Sequence, residues 1–381
     1  MRIIIFFFIL TFYFFTAPAK TDALEDPRSV PNNKFGIHIL FPSELDTAAQ
    51  LINSSGGDWG YVTIPIQAGD RNRDTWQNFM NDARRLHLIP IVRLATRGDY
   101  FNTAVWKKPT FADILDFANF LEDLNWPTKN KYIVVFNEVN RDDEWGGDAN
   151  ANEYTEILAY TLQVFKERDN DFFIISAGLD NAAGNGNMSI NQYNFIRQIH
   201  SYNPDVFKNI DGIASHSYPN PDFSQPPNFK RPTSIWSFLY ERNLIRQLAG
   251  VDLPIFITET GWKNDKIDQS TIASFYQEAF ATAWSDKDIV AVTPFLLRAG
   301  TEPFKAFSFL GTNDSHTKYY QTFTDIKKIT GSPSLISPQT IIAIIKTPNY
   351  TVKHFNETSN MESDISLTNI AKDAFYWIMK I

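Results

Sequence analysis

The chain has 381 residues, a formal net charge of −8 and no cysteine. The missing cysteines exclude disulfides and thiolate metal sites, and the negative balance argues against nucleic acid or an anionic membrane surface as a partner. This length suffices for one α/β barrel whose core needs no cross-links.

The first residues read as an export signal. Arg2 is followed by an almost wholly apolar run over 3–15, and Ala17-Pro-Ala19 offers small residues at cleavage spacing. Residues 1–19 are therefore expected to be a signal peptide, leaving a secreted or cell-surface protein with no membrane insertion after cleavage. Residues 20–34 are polar, carry Pro27 and Pro31, and read as a linker. From Phe35 short apolar, β-branched runs alternate with longer amphipathic ones. Strands are expected over 35–40, 61–66, 89–94, 132–136, 172–176, 212–216, 254–258 and 289–296. Helices are expected over 43–53, 74–87, 111–124, 152–168, 190–207, 233–248 and 270–285, with a weaker eighth over 322–329. Thr110 and Asp113 form the start signal of the third.

Eight strand–helix repeats with right-handed crossovers predict a (β/α)8 barrel over 35–330. An open doubly wound sheet is the alternative, but it usually carries a glycine-rich phosphate loop. Gly184-Asn-Gly186 has no third glycine and is not one. Residues 331–381 break the repeat and read as a packing or capping extension.

Two runs carry the chemistry. Residues 132–136 lead into Asn137-Glu138, and 254–258 end at Glu259. In a barrel the strand C-termini share one rim, so both carboxylates are expected to face one cleft. Paired carboxylates of this kind are what glycosidic bond cleavage requires. The Asn137 amide can hold a sugar hydroxyl. His216 and Tyr218 follow the sixth strand, beside the seventh, where either can hydrogen-bond Glu259. Trp262 is placed to floor a sugar subsite by stacking, and Trp145 is a weaker candidate for the same task. Arg93 ends the third strand and His38 lies near the end of the first, so both are expected at the rim, with Arg93 free to ion-pair a carboxylate. Asp142-Asp143-Glu144 reads as a solvated loop, with a subsite for cationic or hydroxyl groups as the alternative.

These residues resemble the clan of retaining (β/α)8-barrel glycoside hydrolases. The resemblance rests on Asn137-Glu138 after strand four, Thr258-Glu259-Thr260-Gly261-Trp262 after strand seven and His216-Ser-Tyr218 after strand six. It implies Glu138 as acid/base, Glu259 as nucleophile, Asn137 on the sugar 2-hydroxyl and Tyr218 close to the nucleophile. Two positions depart from the clan's pattern. The arginine often found after strand two is absent from 61–67, leaving Arg93 as a possible substitute. Strand eight has no terminal tryptophan, so Phe295 has to serve.

The resemblance implies a secreted, monomeric, retaining β-glycoside hydrolase that acts on a polysaccharide or oligosaccharide by double displacement, with no metal and no cofactor. The alternatives are a carbohydrate-binding barrel without catalysis, and a metal-dependent lyase or isomerase using Glu138, Glu259 and His216 as ligands.

Overall fold

The computed structural model describes residues 24–100 and 102–336. In chain order its elements are β1 (Gly36–His38), α1 (Leu45–Ile52), β2 (Gly60–Gln67), α2 (Arg73–Arg85), β3 (Leu88–Ala95), α3 (Phe111–Glu122), β4 (Lys131–Val134), α4 (Ala151–Arg168) and β5 (Phe172–Ile175). There follow α5 (Gln192–Tyr202), α6 (Val206–Asn209), β6 (Ile213–His216), α7 (Ser237–Ala249), β7 (Ile255–Glu259), α8 (Gln269–Ala281), β8 (Ile289–Val292) and α9 (Lys318–Asp325). Every strand pairing is parallel. One ladder runs from β1 to β5 and another from β6 to β8. Bridges from Ile175 to Gly212 and from Phe35 to Val292 join the ladders into a closed (β/α)8 barrel.

The strands are apolar on both faces because both faces are covered. One set of side chains, including Tyr61, Ile89, Ile91, Tyr132, Phe173, Phe256 and Ala291, fills the barrel interior. The alternate set, including Val62, Ile64, Val92, Ile133, Ile174 and Ile257, packs outward against the helices. The Thr110 hydroxyl accepts from the Asp113 N–H at 3.2 Å while the Asp113 carboxylate accepts from the Thr110 N–H at 2.8 Å, the reciprocal cap that starts α3.

Several boundaries differ from expectation for local reasons. The single helix expected over 190–207 is two, because Asn203 precedes Pro204 and turns extended. The last strand stops at Val292, two residues before Pro294, which has no N–H for a ladder. The final helix lies earlier than 322–329, because Thr317 caps it by accepting from the Tyr320 N–H.

Residues 24–34 are not a linker. They lie across the N-terminal end of the barrel, held by side chains whose partners are remote in sequence. Asn32 donates to the Val290 carbonyl at 2.6 Å and accepts from the Tyr61 hydroxyl at 2.7 Å. Asn130 donates to the Glu25 carbonyl at 2.8 Å, and the Lys34 ammonium to the carbonyls of Trp284 and Asp286. The segment after α9 reaches the same end: the Ser332 N–H donates to the Pro31 carbonyl and the Lys129 N–H to that of Ser334. The leader over 1–19 and residues 337–381 of the expected extension lie outside the described residues. No described helix is long and apolar enough to cross a membrane.

Asn32→Ala removes both the bond to β8 and the acceptor for Tyr61. It is expected to lower unfolding free energy by about 1 to 3 kcal/mol, measured by urea denaturation, without changing the far-ultraviolet circular dichroism spectrum.

Candidate active site

The β4 chain leaves its ladder after Val134 and takes an unusual course. Phe136 has φ +71° and Glu138 φ +37°, both in the left-handed region. Asn137 bridges to Gly178, and the Glu138 N–H donates to the Gly178 carbonyl at 2.9 Å. Gly178 is required there, since a Cβ would lie 2.1 Å from Cδ2 of His216. This turn aims the Glu138 carboxylate at the barrel axis. Its Oε1 lies 3.0 Å from His216 Nδ1, and its Oε2 accepts from Arg141 at 3.1 Å.

Glu259 closes β7 and is 7% exposed. Its Oε1 accepts from Arg93 at 2.7 Å and its Oε2 from the Tyr218 hydroxyl at 3.0 Å. His216 Nδ1 lies 3.7 Å from Oε2, and His38 Nε2 lies 3.6 Å from Oε1. One carboxylate oxygen of each glutamate and a ring nitrogen of His216 fall within 4.8 Å of one another. Arg93 also donates to Oδ1 of Asn137, which ties both glutamate-bearing segments to β3.

Burial and neighbouring charge set the protonation states. Burial pushes the His216 imidazole down, but Glu259 and Glu138 outweigh it and the net shift is upward from 6.5. His38 goes the other way, driven well below 6.5 by burial and by the neighbouring positive charge of Arg93 and His216. Burial, then repulsion from the Glu259 and Glu138 carboxylates, holds the Tyr218 hydroxyl well above 10, so it stays a donor. Burial and the nearby Glu138 charge push Glu144 up to about 7 and Asp180 up to about 6.

The two glutamates open into a cleft of about 410 Å³, also lined by Arg93, Asn137 and Tyr218. Its walls are strongly aromatic, with Tyr100, Trp106, Phe223, Phe295, Phe304 and Phe307. Phe295 thus stands on the cleft at the position expected for it.

Four of the expected site residues present no exposed face to the cleft. Trp262 is 1% exposed and lies behind the barrel wall, its ring against Phe275, Tyr276 and Trp284 and its Nε1 donating to the Gln225 carbonyl. Gly261, at φ +147°, turns the chain outward just before it. Trp145 borders the cleft but is 1% exposed, edge-on to Phe136 and Tyr154, and presents no face to a sugar. His38 and His216 are fully buried and act from beneath the carboxylates, with Glu138 the nearer partner of His216.

Pro65 of β2 pairs with Arg93 of β3, and it is Arg93 that reaches Glu259. The 142–144 segment is not simply solvated. Arg141 grips Asp143 through two bonds and lies 3.7 Å from Asp180, and Glu144 contacts Asn137. Arg141 and Asp180 are not among the residues that the sequence pattern singles out. The spacing of Arg141, three residues after Glu138, was the available signal.

Glu138, His216 and Glu259 have the donor types and spacing of a metal site. The guanidiniums of Arg93 and Arg141 already face the two carboxylates, however, and a divalent cation would be placed against like charge.

The barrel is similar in fold to those of several glycoside hydrolases of known structure. Over 80% of this chain and 65% of that one, it is similar to a family 39 glycoside hydrolase from the gut symbiont Bacteroides cellulosilyticus, with TM-score 0.55 and 13% identity. This chain therefore spans about two thirds of that neighbour's length. It is similar to a family 39 β-xylosidase from Caulobacter crescentus over 77% of this chain and 72% of that one, with TM-score 0.54 and 14% identity. A family 128 (subgroup II) endo-β-1,3-glucanase from Sorangium cellulosum matches over 76% of this chain and 97% of that one, with TM-score 0.52 and 14% identity. No family model matches the sequence. No curated protein matches it either.

His216 binds its proton more tightly folded than unfolded, so its contribution to stability is complete below 6.5 and is lost as pH rises through the raised folded value. Glu144 and Asp180 act in the same sense, while the contribution of neutral His38 is lost as pH falls below 6.5. His216→Gln is therefore expected to destabilise the protein more at about pH 5 than at about pH 8, read from denaturant unfolding at both values. Equal losses would contradict the upward shift.

Proposed function

We propose that the protein is an exported, retaining β-glycoside hydrolase that cleaves O-glycosidic bonds of an oligosaccharide or polysaccharide. The observation that carries this reading is the approach of the Glu138 and Glu259 carboxylates to within 4.8 Å across an aromatic cleft. Retaining enzymes hold the two groups about 5 Å apart, whereas inverting enzymes leave about 6.5 to 9.5 Å for a water.

The surroundings support a division of roles. Both oxygens of Glu259 accept from firm donors, Arg93 and Tyr218, which hold the carboxylate in place to attack the anomeric carbon. Glu138 stands beside His216, a ring disposed to carry a proton, and it protonates the departing glycosidic oxygen as the bond to the sugar breaks. The resulting ester on Glu259 is opened by water, whose proton returns to Glu138 as the sugar is released. Asn137, with Oδ1 engaged by Arg93 and one amide N–H turned to Glu144, offers its other N–H to a substrate hydroxyl. The structural neighbours differ in the sugar they act on, so the fold does not choose one.

Glu138→Gln and Glu259→Gln should each lower kcat by about a thousandfold or more while leaving unfolding cooperative. Azide should restore turnover of an activated aryl β-glycoside by Glu138→Ala and give a glycosyl azide of retained configuration by nuclear magnetic resonance. Either glutamine variant with near-parental activity would remove the assignment.

The spacing of Glu138, His216 and Glu259 is also what the metal-dependent reading would use. The hydrolase reading expects full activity after treatment with EDTA, and loss of activity restored by a divalent cation would favour the metal.

A further inference from the structure

A second compartment of about 490 Å³ adjoins the catalytic cleft, with Leu40 and Tyr100 lining both. It runs over the ends of β1, β2 and β3, with Phe41, Gln67, Asp70 and Trp76 on its walls. Nothing in the proposed chemistry at Glu138 and Glu259 uses it.

Its most unusual feature is Phe41, which is 49% exposed. A single exposed apolar side chain is ordinary, but one that continues a row of aromatic rings from a cleft marks a surface for a ligand. The N–H groups of Leu40 and Phe41 both donate to Oε2 of Glu44, at 2.8 and 2.9 Å, and Pro42 follows. The Glu44 carboxylate is itself 5% exposed, so the turn is held by a buried acceptor. The chain thus fixes Phe41 in an exposed position.

From there the aromatics form a row. The Phe41 ring stands 6.2 Å from Tyr100, and Tyr100 stands 6.1 Å from Trp106. Tyr100 is bonded to Gln67 and stays a phenol, pushed up to about 12 by burial. Trp106 is pinned by its backbone to the loop after Glu138, donating to the Asp143 carbonyl and accepting from the Gly146 N–H. The row leads from the catalytic loop out to Phe41. Flat apolar rings interspersed with polar groups such as Gln67, Asp70 and Asp99 suit the alternating faces and edges of sugar rings. The charged side chains among the described residues lining this compartment are Asp70 and Asp99, which disfavour carboxylated or sulfated chains.

On the other side the catalytic cleft continues past Glu259 to Phe223 and Phe307. Space therefore extends from the glutamates in two directions. We propose that the Phe41–Tyr100 compartment binds further units of an uncharged polysaccharide, so that the enzyme cuts within chains and does not trim single sugars from an end. This rests on the hydrolase reading above.

The test uses β-1,3- and β-1,4-linked gluco-, manno- and xylo-oligosaccharides from disaccharide to hexasaccharide, together with aryl β-glycosides. For the chain that is cut, kcat/KM should rise about tenfold or more with length, with oligosaccharides as the first products. Phe41→Ala should lower the hexasaccharide value about fivefold or more. Because Phe41 is exposed, this variant is expected to fold, which its melting temperature verifies. Turnover without length dependence, monosaccharide as the sole first product, or a hexasaccharide value unchanged in Phe41→Ala would overturn the compartment's role and leave the hydrolase reading standing. No turnover of any of these substrates would overturn both.

Discussion

The site depends on one buried ion pair. Arg93 is 8% exposed and Glu259 is 7% exposed, and their side chains meet at 2.7 Å at the mouth of the barrel. A carboxylate in such a place is tolerated only if donors compensate for the water it loses. Removing one partner of such a pair costs about 3 to 5 kcal/mol, because the other charge is left stranded. Arg93 reaches Asn137 with the same nitrogen, so the pair also sets the position of the segment that carries Glu138. Strands three, four and seven are registered on one another through a single guanidinium.

That pairing explains why histidines sit beneath the carboxylates and not beside a sugar. His38 and His216 occupy fully buried positions on either side of the pair. Burial, joined by the positive charge of Arg93 and His216, keeps His38 neutral, whereas at His216 two carboxylates outweigh burial and bias the ring toward holding a proton. The same residue type therefore takes opposite protonation behaviour within one site, according to which charge it meets.

The barrel and its two glutamates were legible because their signals are local. A run of β-branched residues ending at Glu259 fixes both the strand and the rim position of its last side chain. What was missed depends on backbone turns or on distant partners. Trp262 reads as a rim residue until the turn at Gly261 sends it behind the wall. Residues 24–34 look like a linker because nothing in their composition reveals that Asn32 will find Val290 and Tyr61. Asp143 and Glu144 read as part of a solvated loop because their partners, Arg141 and Asn137, are brought to them only by the turn after Glu138. Asp180 enters because Gly178 lets the segment after β5 run close beside His216.

The left-handed backbone at Glu138 joins these observations. A non-glycine residue at φ +37° carries a cost of order 1 to 3 kcal/mol, and persists only where its surroundings over-determine it. Here they do. The Glu138 N–H is tied to Gly178, its carbonyl accepts from the Arg141 N–H at 2.9 Å, and its carboxylate is held by His216 and Arg141. A regular extension of β4 would alternate side chains between core and helices. The irregular turn instead sends Asn137 toward Arg93 and Glu138 toward Glu259 from adjacent positions in sequence. The strain is thus the means by which two neighbouring residues face one cleft, and the buried Arg93–Glu259 pair provides the fixed point against which they are aimed.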